Sequence, residues 1–147
     1  MWINPITDEM VELPSGWATT KDKLKSDILV DTFINEKVGV ARLLREETSE
    51  AMTVEQYAKA LMESKVQAMD KEYQFDEVTN TKLEGTTVFK FSAIPTNSDW
   101  SLSFFVWKDR VKDLYWHSIF TISKKDREKK SQHVEKMLLK LIDSTTK

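Results

Sequence analysis

The chain contains no cysteine, which excludes disulfides, thiolate metal sites and cysteine nucleophiles, and with them several enzyme classes. Glycine is scarce, at 3 residues, so there is little material for phosphate-cradling loops. Neither a Walker motif nor a dinucleotide fingerprint is present, and nucleotide binding is not expected. No apolar run approaches the roughly 20 residues of a membrane span. Met1 to Asn4 lack the basic and apolar regions of a secretory signal, so the chain is expected to be cytosolic or the mature form of an exported protein. An excess of one charge is also missing: 22 basic against 24 acidic side chains leave a formal charge of -2. That gives no global footprint for nucleic acid or an anionic membrane surface. No nucleic-acid partner, membrane insertion, cofactor or metal is expected.

What is present builds a core. In 147 residues, 40% are hydrophobic and 10% aromatic, enough for one domain spanning 1–147 without disulfides or metal. The dominant feature is an aromatic series, Trp100, Phe104, Phe105, Trp107, Tyr115, Trp116 and Phe120. It lies in two alternating runs joined by the polar turn Lys108-Asp109-Arg110-Val111-Lys112, a hairpin pattern with more large apolar surface than one sheet face needs. Ser101, Ser103, Phe105 and Trp107 alternate with the wholly apolar set Leu102, Phe104 and Val106, which is expected to face the core. The partner run, Asp113 to Ile122, carries large side chains on both faces, as a central strand does.

Upstream, Met10 to Leu13 is a short strand stopped by Pro14 and turned by Ser15-Gly16, after which Trp17 folds back on the core. Ile28 to Asn35 and Val38 to Arg45 have hairpin spacing around Glu36-Lys37, after a lysine-rich connection. Thr53 and Gln56 form a capping box that opens a helix with Val54, Tyr57, Ala58, Leu61 and Met62 on one stripe. Tyr73 to Lys82 reads as a strand, and Gly85 turns the chain into Thr86 to Ile94, where Phe89, Phe91 and Ala93 share a face. A last helix carries the stripe Val134, Met137, Leu138, Leu141 and Ile142. The class is α+β: a mostly antiparallel sheet of about six or seven strands sandwiched by helices.

The phrase Leu13-Pro14-Ser15-Gly16-Trp17, the hairpin, Met52-Thr53-Val54-Glu55-Gln56-Tyr57-Ala58 opening a helix, and a terminal helix after Phe120-Thr121-Ile122 together resemble the PsbP-like superfamily. Its members include the photosystem II extrinsic protein, a yeast Ran-binding import factor, and uncharacterised bacterial lipoproteins and periplasmic proteins. The resemblance implies a noncatalytic protein-binding or accessory domain of a bacterial exported protein, in the periplasm or cell envelope, with a lipid anchor upstream compatible with that branch. A second branch implies a chaperone for type VI secretion effectors, which predicts a dimer and a sheet groove holding an amphipathic helix. The photosynthetic and Ran-binding surfaces have no match here. A protein partner is expected, with the chain acting as a monomer or homodimer.

The candidate protein-binding residues are Trp100, Phe105, Trp107, Asp109, Arg110 and Tyr115. Two readings compete for Phe105 and Trp107. A helix or the Trp2/Trp17 segment covers them, or they stay exposed beside Trp100 as an apolar patch of the kind that marks partner sites. The tip Asp109-Arg110, with Lys108 and Lys112, reads as a docking point or as a solvated turn. The mixed run Lys124 to Lys130 reads as the solvated start of a helix in preference to a phosphate site. An enzyme reading centres on His117 with Asp113 or Glu77, without a motif. Ser118 next to His117 points to the opposite face, against a dyad. His133 reads as a solvated helix residue.

Overall fold

The computed structural model describes residues 1–20, 26–69 and 72–146, and most of the lysine-rich connection before Ile28 lies outside the described residues. The chain opens with a two-stranded ribbon, β1 (Trp2–Ile3) and β2 (Met10–Val11). It continues through β3 (Ala18–Thr19), β4 (Leu29–Asn35), β5 (Gly39–Glu47), α1 (Val54–Met69), β6 (Tyr73–Phe75), β7 (Thr79–Leu83), β8 (Thr86–Pro95), β9 (Trp100–Lys108), β10 (Leu114–Ser123) and α2 (Ser131–Thr146). Between β10 and α2 lies a short 3-10 turn, Lys124–Asp126. Among the described residues, β3 to β10 form one antiparallel sheet in the order β3-β4-β5-β10-β9-β8, closed at its far edge by β6 and β7.

The predicted class holds, with the strand count raised by short pieces. β6 and β7 are the two halves of the expected Tyr73 to Lys82 strand, interrupted where Asp76 N–H still reaches Ser92 O. The turn after β7 places both Glu84 and Gly85 at positive φ, 49° and 85°, the conformation of a tight two-residue hairpin loop. At the other end of the sheet, Gly39 follows the expected Glu36-Lys37 turn at φ 149°. A Cβ there would stand 2.1 Å from the Thr121 carbonyl oxygen.

The two helices divide the sheet faces between them. The capping box starts α1 as expected: Gln56 N–H donates to Thr53 Oγ1 at 3.1 Å and Thr53 N–H to Gln56 Oε1 at 2.9 Å. Tyr57 and Ala58 on its buried stripe pack on Phe89, Val106 and Tyr115, and Leu61 and Met62 extend this layer to Phe91 and Phe104. On the opposite face, Met137, Leu138, Leu141 and Ile142 of α2 join Trp107, Trp116, Phe120 and Leu43, while Trp2, Val11 and Trp17 fill the same layer from the N terminus. Asn4 ties the ribbon to α2 through a 3.1 Å bond from Nδ2 to Ser144 Oγ.

Both side-chain sets of β9 are therefore interior. Phe104 and Val106 pack under α1, while Trp107 lies under α2. The aromatic surplus is what two covered faces require.

Candidate functional site

The six candidate binding residues do not form one patch. Trp107 is fully buried, and its indole N–H donates to Thr145 Oγ1 of α2 at 2.7 Å. Phe105 is half-buried and meets Phe120 edge to face at 5.6 Å. Of the two competing readings, coverage by the terminal helix is the one the fold adopts for Trp107, because α2 crosses β9 at that position. Tyr115 is also fully buried, but on the α1 face. There it stacks on Tyr57 at 4.4 Å, and its hydroxyl donates to Met52 O. Trp100 is 52% exposed, at the opposite end of β9 from Asp109, about 30 Å of extended strand away.

The hairpin tip is equally committed to the fold. Asp109 is buried and accepts from Arg45 Nε at 2.8 Å and from Val111 N–H at 2.8 Å. Burial pushes its carboxyl upward, but the Arg45 bond, the Val111 N–H and the Arg45 charge outweigh that and hold it below the usual range. The Trp116 indole N–H adds to this lowering from nearby without reaching ordinary hydrogen-bond geometry. Lys108 Nζ binds three carbonyls of the turn, those of Asp109, Val111 and Leu114. Around the buried Asp109, Lys108, Arg110 and Lys112 of the candidate tip are exposed.

His117 finds partners that no local spacing announced. Asp113 lies four residues back, about 13 Å along the strand, and Glu77 sits in the exposed link between β6 and β7. The imidazole instead meets Tyr57 Oη through Nδ1 at 3.1 Å, and the phenol donates to Glu46 Oε1 at 2.5 Å. With the phenol proton given to Glu46, the neutral ring donates from Nδ1. Burial, with a smaller push from the Lys65 charge, takes the His117 pKa down to about 3. Burial and then Glu46 push the Tyr57 hydroxyl well upward, so it stays protonated. The trio is a buried polar tie between α1, β5 and β10, with His117 only 2% exposed. Ser118 faces the other way, as the alternation predicts, and His133 is exposed on α2.

The open concavity lies elsewhere, on the α2 face at the β7 edge. Here the sheet positions that α2 should cover are Ser92 and Ser103, directly paired across β8 and β9. Hydroxymethyl groups are too short to reach a helix packed at normal distance, so a cleft of about 570 Å³ remains. Phe105, Ile122, Val134 and Leu138 supply its apolar side, and its polar side carries charges of both signs, Lys90 and Arg127 with Asp76, Glu128 and Glu135, beside Ser92 and Ser103. Lys90 stands beside Phe105 in the register and beside Thr79 on β7. Arg127, from the charged run before α2, donates from Nη2 to Ser92 Oγ at 2.7 Å. The run expected to be a solvated helix start thus docks one of its residues into the cleft. Sequence reading missed this site, although the paired serines within an aromatic-rich hairpin were its visible trace.

A second hollow of about 370 Å³ opens where Glu46 and Tyr57 approach the surface. Among the described residues, no group of three or more His, Asp or Glu side chains is placed to hold a metal ion.

An eight-stranded antiparallel sheet with one long helix against each face is an α+β sandwich of PsbP-like fold. No family model matches the chain, and no curated protein matches its sequence. Among solved structures it is similar to the solution structure of cyanobacterial PsbP (CyanoP) from Synechocystis sp. PCC 6803. The TM-score is 0.61 at 12% identity, over 86% of this chain and 81% of that one. At that identity the likeness is one of fold.

Proposed function

We propose that this chain is a noncatalytic binding or accessory domain, and that the cleft beside α2 is where it holds its partner. The observation that supports this reading is the character of the cleft. It is open and of ligand-site size, part apolar and part polar with hydroxyls and charges of both signs, and the strongly perturbed His117 and Tyr57 lie on the other face of the sheet. Sites of this size with a few convergent polar groups are the usual places for ligands. The resemblance to exported bacterial PsbP-like proteins extends the reading to a protein partner in the periplasm or cell envelope. No helix among the described residues is long and apolar enough to cross a membrane.

Because the chain has no cysteine, a Ser103→Cys variant carries a unique attachment point for a photo-crosslinker inside the cleft. The same label on Lys37→Cys, in the β4–β5 turn, is the control. Adducts formed in source-cell extract from the first position and not from the second support the reading. Equal labelling from both positions, or adducts from Lys37→Cys alone, overturns it.

A further inference from the structure

We propose that the outer edge of β7 takes up an extended polypeptide segment of a partner as an additional strand, whose alternate side chains lie over the cleft; this rests on the reading above that the cleft is a binding site. The turn between β7 and β8 sets which backbone groups are free. Glu84 and Gly85 are both at positive φ between the paired residues Leu83 and Thr86, the two-residue turn whose flanking residues exchange both main-chain hydrogen bonds. Counting back by two along the unbroken register, Thr81 and Thr79 also turn their N–H and C=O toward β8. The N–H and C=O of Asn80 and of Lys82 therefore point out of the sheet. Among the described residues, no further strand pairs with β7 and no loop main chain bonds to it.

This edge lacks the devices that close most others. Sheets blunt exposed edges with proline, bulges, inward-pointing charges or very short strands. The opposite edge of this sheet is closed in that way, since β3 has only two residues. In contrast, β7 runs for five residues, about 17 Å, without a proline or a register shift. Its one charge, Lys82, lies on the face away from the cleft, because Thr79, Thr81 and Leu83 are the β7 residues that line it. A strand laid along β7 continues that face, so every second side chain lands beside those three residues at the β7 side of the cleft. The cleft carries Asp76, Glu128 and Glu135 as well as Lys90 and Arg127, so it does not choose an occupant by the sign of its charge. What the edge recognises is a main-chain donor and acceptor at every second residue, about 7 Å apart, and that is the chemistry of an extended polypeptide.

The test uses a fluorescein-labelled pool of random octapeptides and the same pool N-methylated at every residue, which removes the main-chain donors. Binding is read by anisotropy and by amide hydrogen exchange. In the free protein the amides of Asn80 and Lys82 exchange fast and those of Thr81 and Leu83 slowly. The unmodified pool is expected to bind about tenfold more tightly than the methylated one, and to slow exchange at Asn80 and Lys82. Lys82→Pro removes an outward N–H and sets the ring on the edge while the β7–β8 bonds stay, so it should fold and lose binding. Lys82→Gln should bind as the wild type does. If the proline loosens the edge, the exchange measurement on the unaltered protein still decides. Equal binding of the two pools, or binding that leaves Asn80 and Lys82 exchanging fast, overturns strand addition and leaves binding at the cleft intact. Slowed exchange at these two amides in the protein alone, rising with its concentration together with a doubled mass in sedimentation, overturns the partner segment in favour of a second copy. If neither pool binds while Ser103→Cys still crosslinks a partner, this proposal alone falls. Silence in both experiments removes the binding reading as well.

Discussion

The indole of Trp107 and the hydroxyl of Thr145 meet at 2.7 Å across the interface between β9 and α2. The same hydroxyl donates to Ile142 O at 2.8 Å, so both partners are satisfied inside a fully buried layer. Thr145→Val keeps the shape and removes the acceptor, leaving a buried N–H without a partner. The expected loss is about 1–3 kcal/mol of unfolding free energy, read by urea titration. A loss below a few tenths would mean that α2 is loosely held there and that Trp107 reaches solvent.

The buried trio of His117, Tyr57 and Glu46 predicts a pH dependence with a definite sign. Burial lowers the His117 pKa in the folded state from 6.5 to about 3. Between those values the unfolded chain binds a proton that the folded chain does not, so folding stability falls as pH falls from 6.5 toward 3 and is unaffected by this group above 6.5. The limiting slope is about 1.4 kcal/mol per pH unit. Carboxylates titrate in the same window, so the measurement is the difference between wild type and His117→Gln across pH 4 to 8. The variant should lose the part of the slope between about pH 5 and 6.5. Parallel curves would show that the imidazole takes up its proton without unfolding.

Much of the framework was legible because it is local. The Thr53 and Gln56 capping box, the Gly85 turn and the α2 stripe each depend on residues within one or two turns of one another and stand where the pattern put them, while the first hairpin takes Val38 into its turn and starts its second strand one residue later, at Gly39. The function-bearing surface was less legible because it depends on which strand each helix crosses. Whether Trp107 is exposed is decided by Thr145, 38 residues later, and the partner of His117 is Tyr57, 60 residues earlier. The cleft exists because α2 starts packing at Val134 above two serines that alternation alone reads as a solvent face. Its second cation, Arg127, comes from a run whose mixed charge reads as a solvated face.

Arg45 and Asp109 fasten the β9–β10 turn to β5. Their side chains are 25% and 6% exposed, so solvent screens the pair only in part. A double-mutant cycle with Arg45→Gln and Asp109→Asn should give a coupling energy of about 1 kcal/mol. The contribution is present above the unfolded carboxylate pKa and is lost as pH falls through the lowered folded value. Additive single mutants at pH 7 would mean that the Val111 N–H, and not Arg45, holds Asp109 in place.

The glycine after the first hairpin carries the sharpest steric prediction. At Gly39, φ is 149° and a Cβ would stand 2.1 Å from the backbone oxygen of Thr121 on the neighbouring strand. Strand β10 is central, held between β5 and β9, so it cannot retreat without opening the sheet. Gly39→Ala should therefore cost at least about 2 kcal/mol or prevent folding. Gly85, at φ 85°, has open space where a Cβ would go, and Gly85→Ala should cost only the left-handed backbone penalty of about 1–2 kcal/mol. Thermal unfolding of the two variants side by side compares a site with both a backbone contact and an extreme φ against a left-handed site in open space. If Gly39→Ala were no worse than Gly85→Ala, the close approach of β5 to β10 at Thr121 would have to be abandoned, because Gly39 combines that contact with a φ further from the left-handed region than that of Gly85.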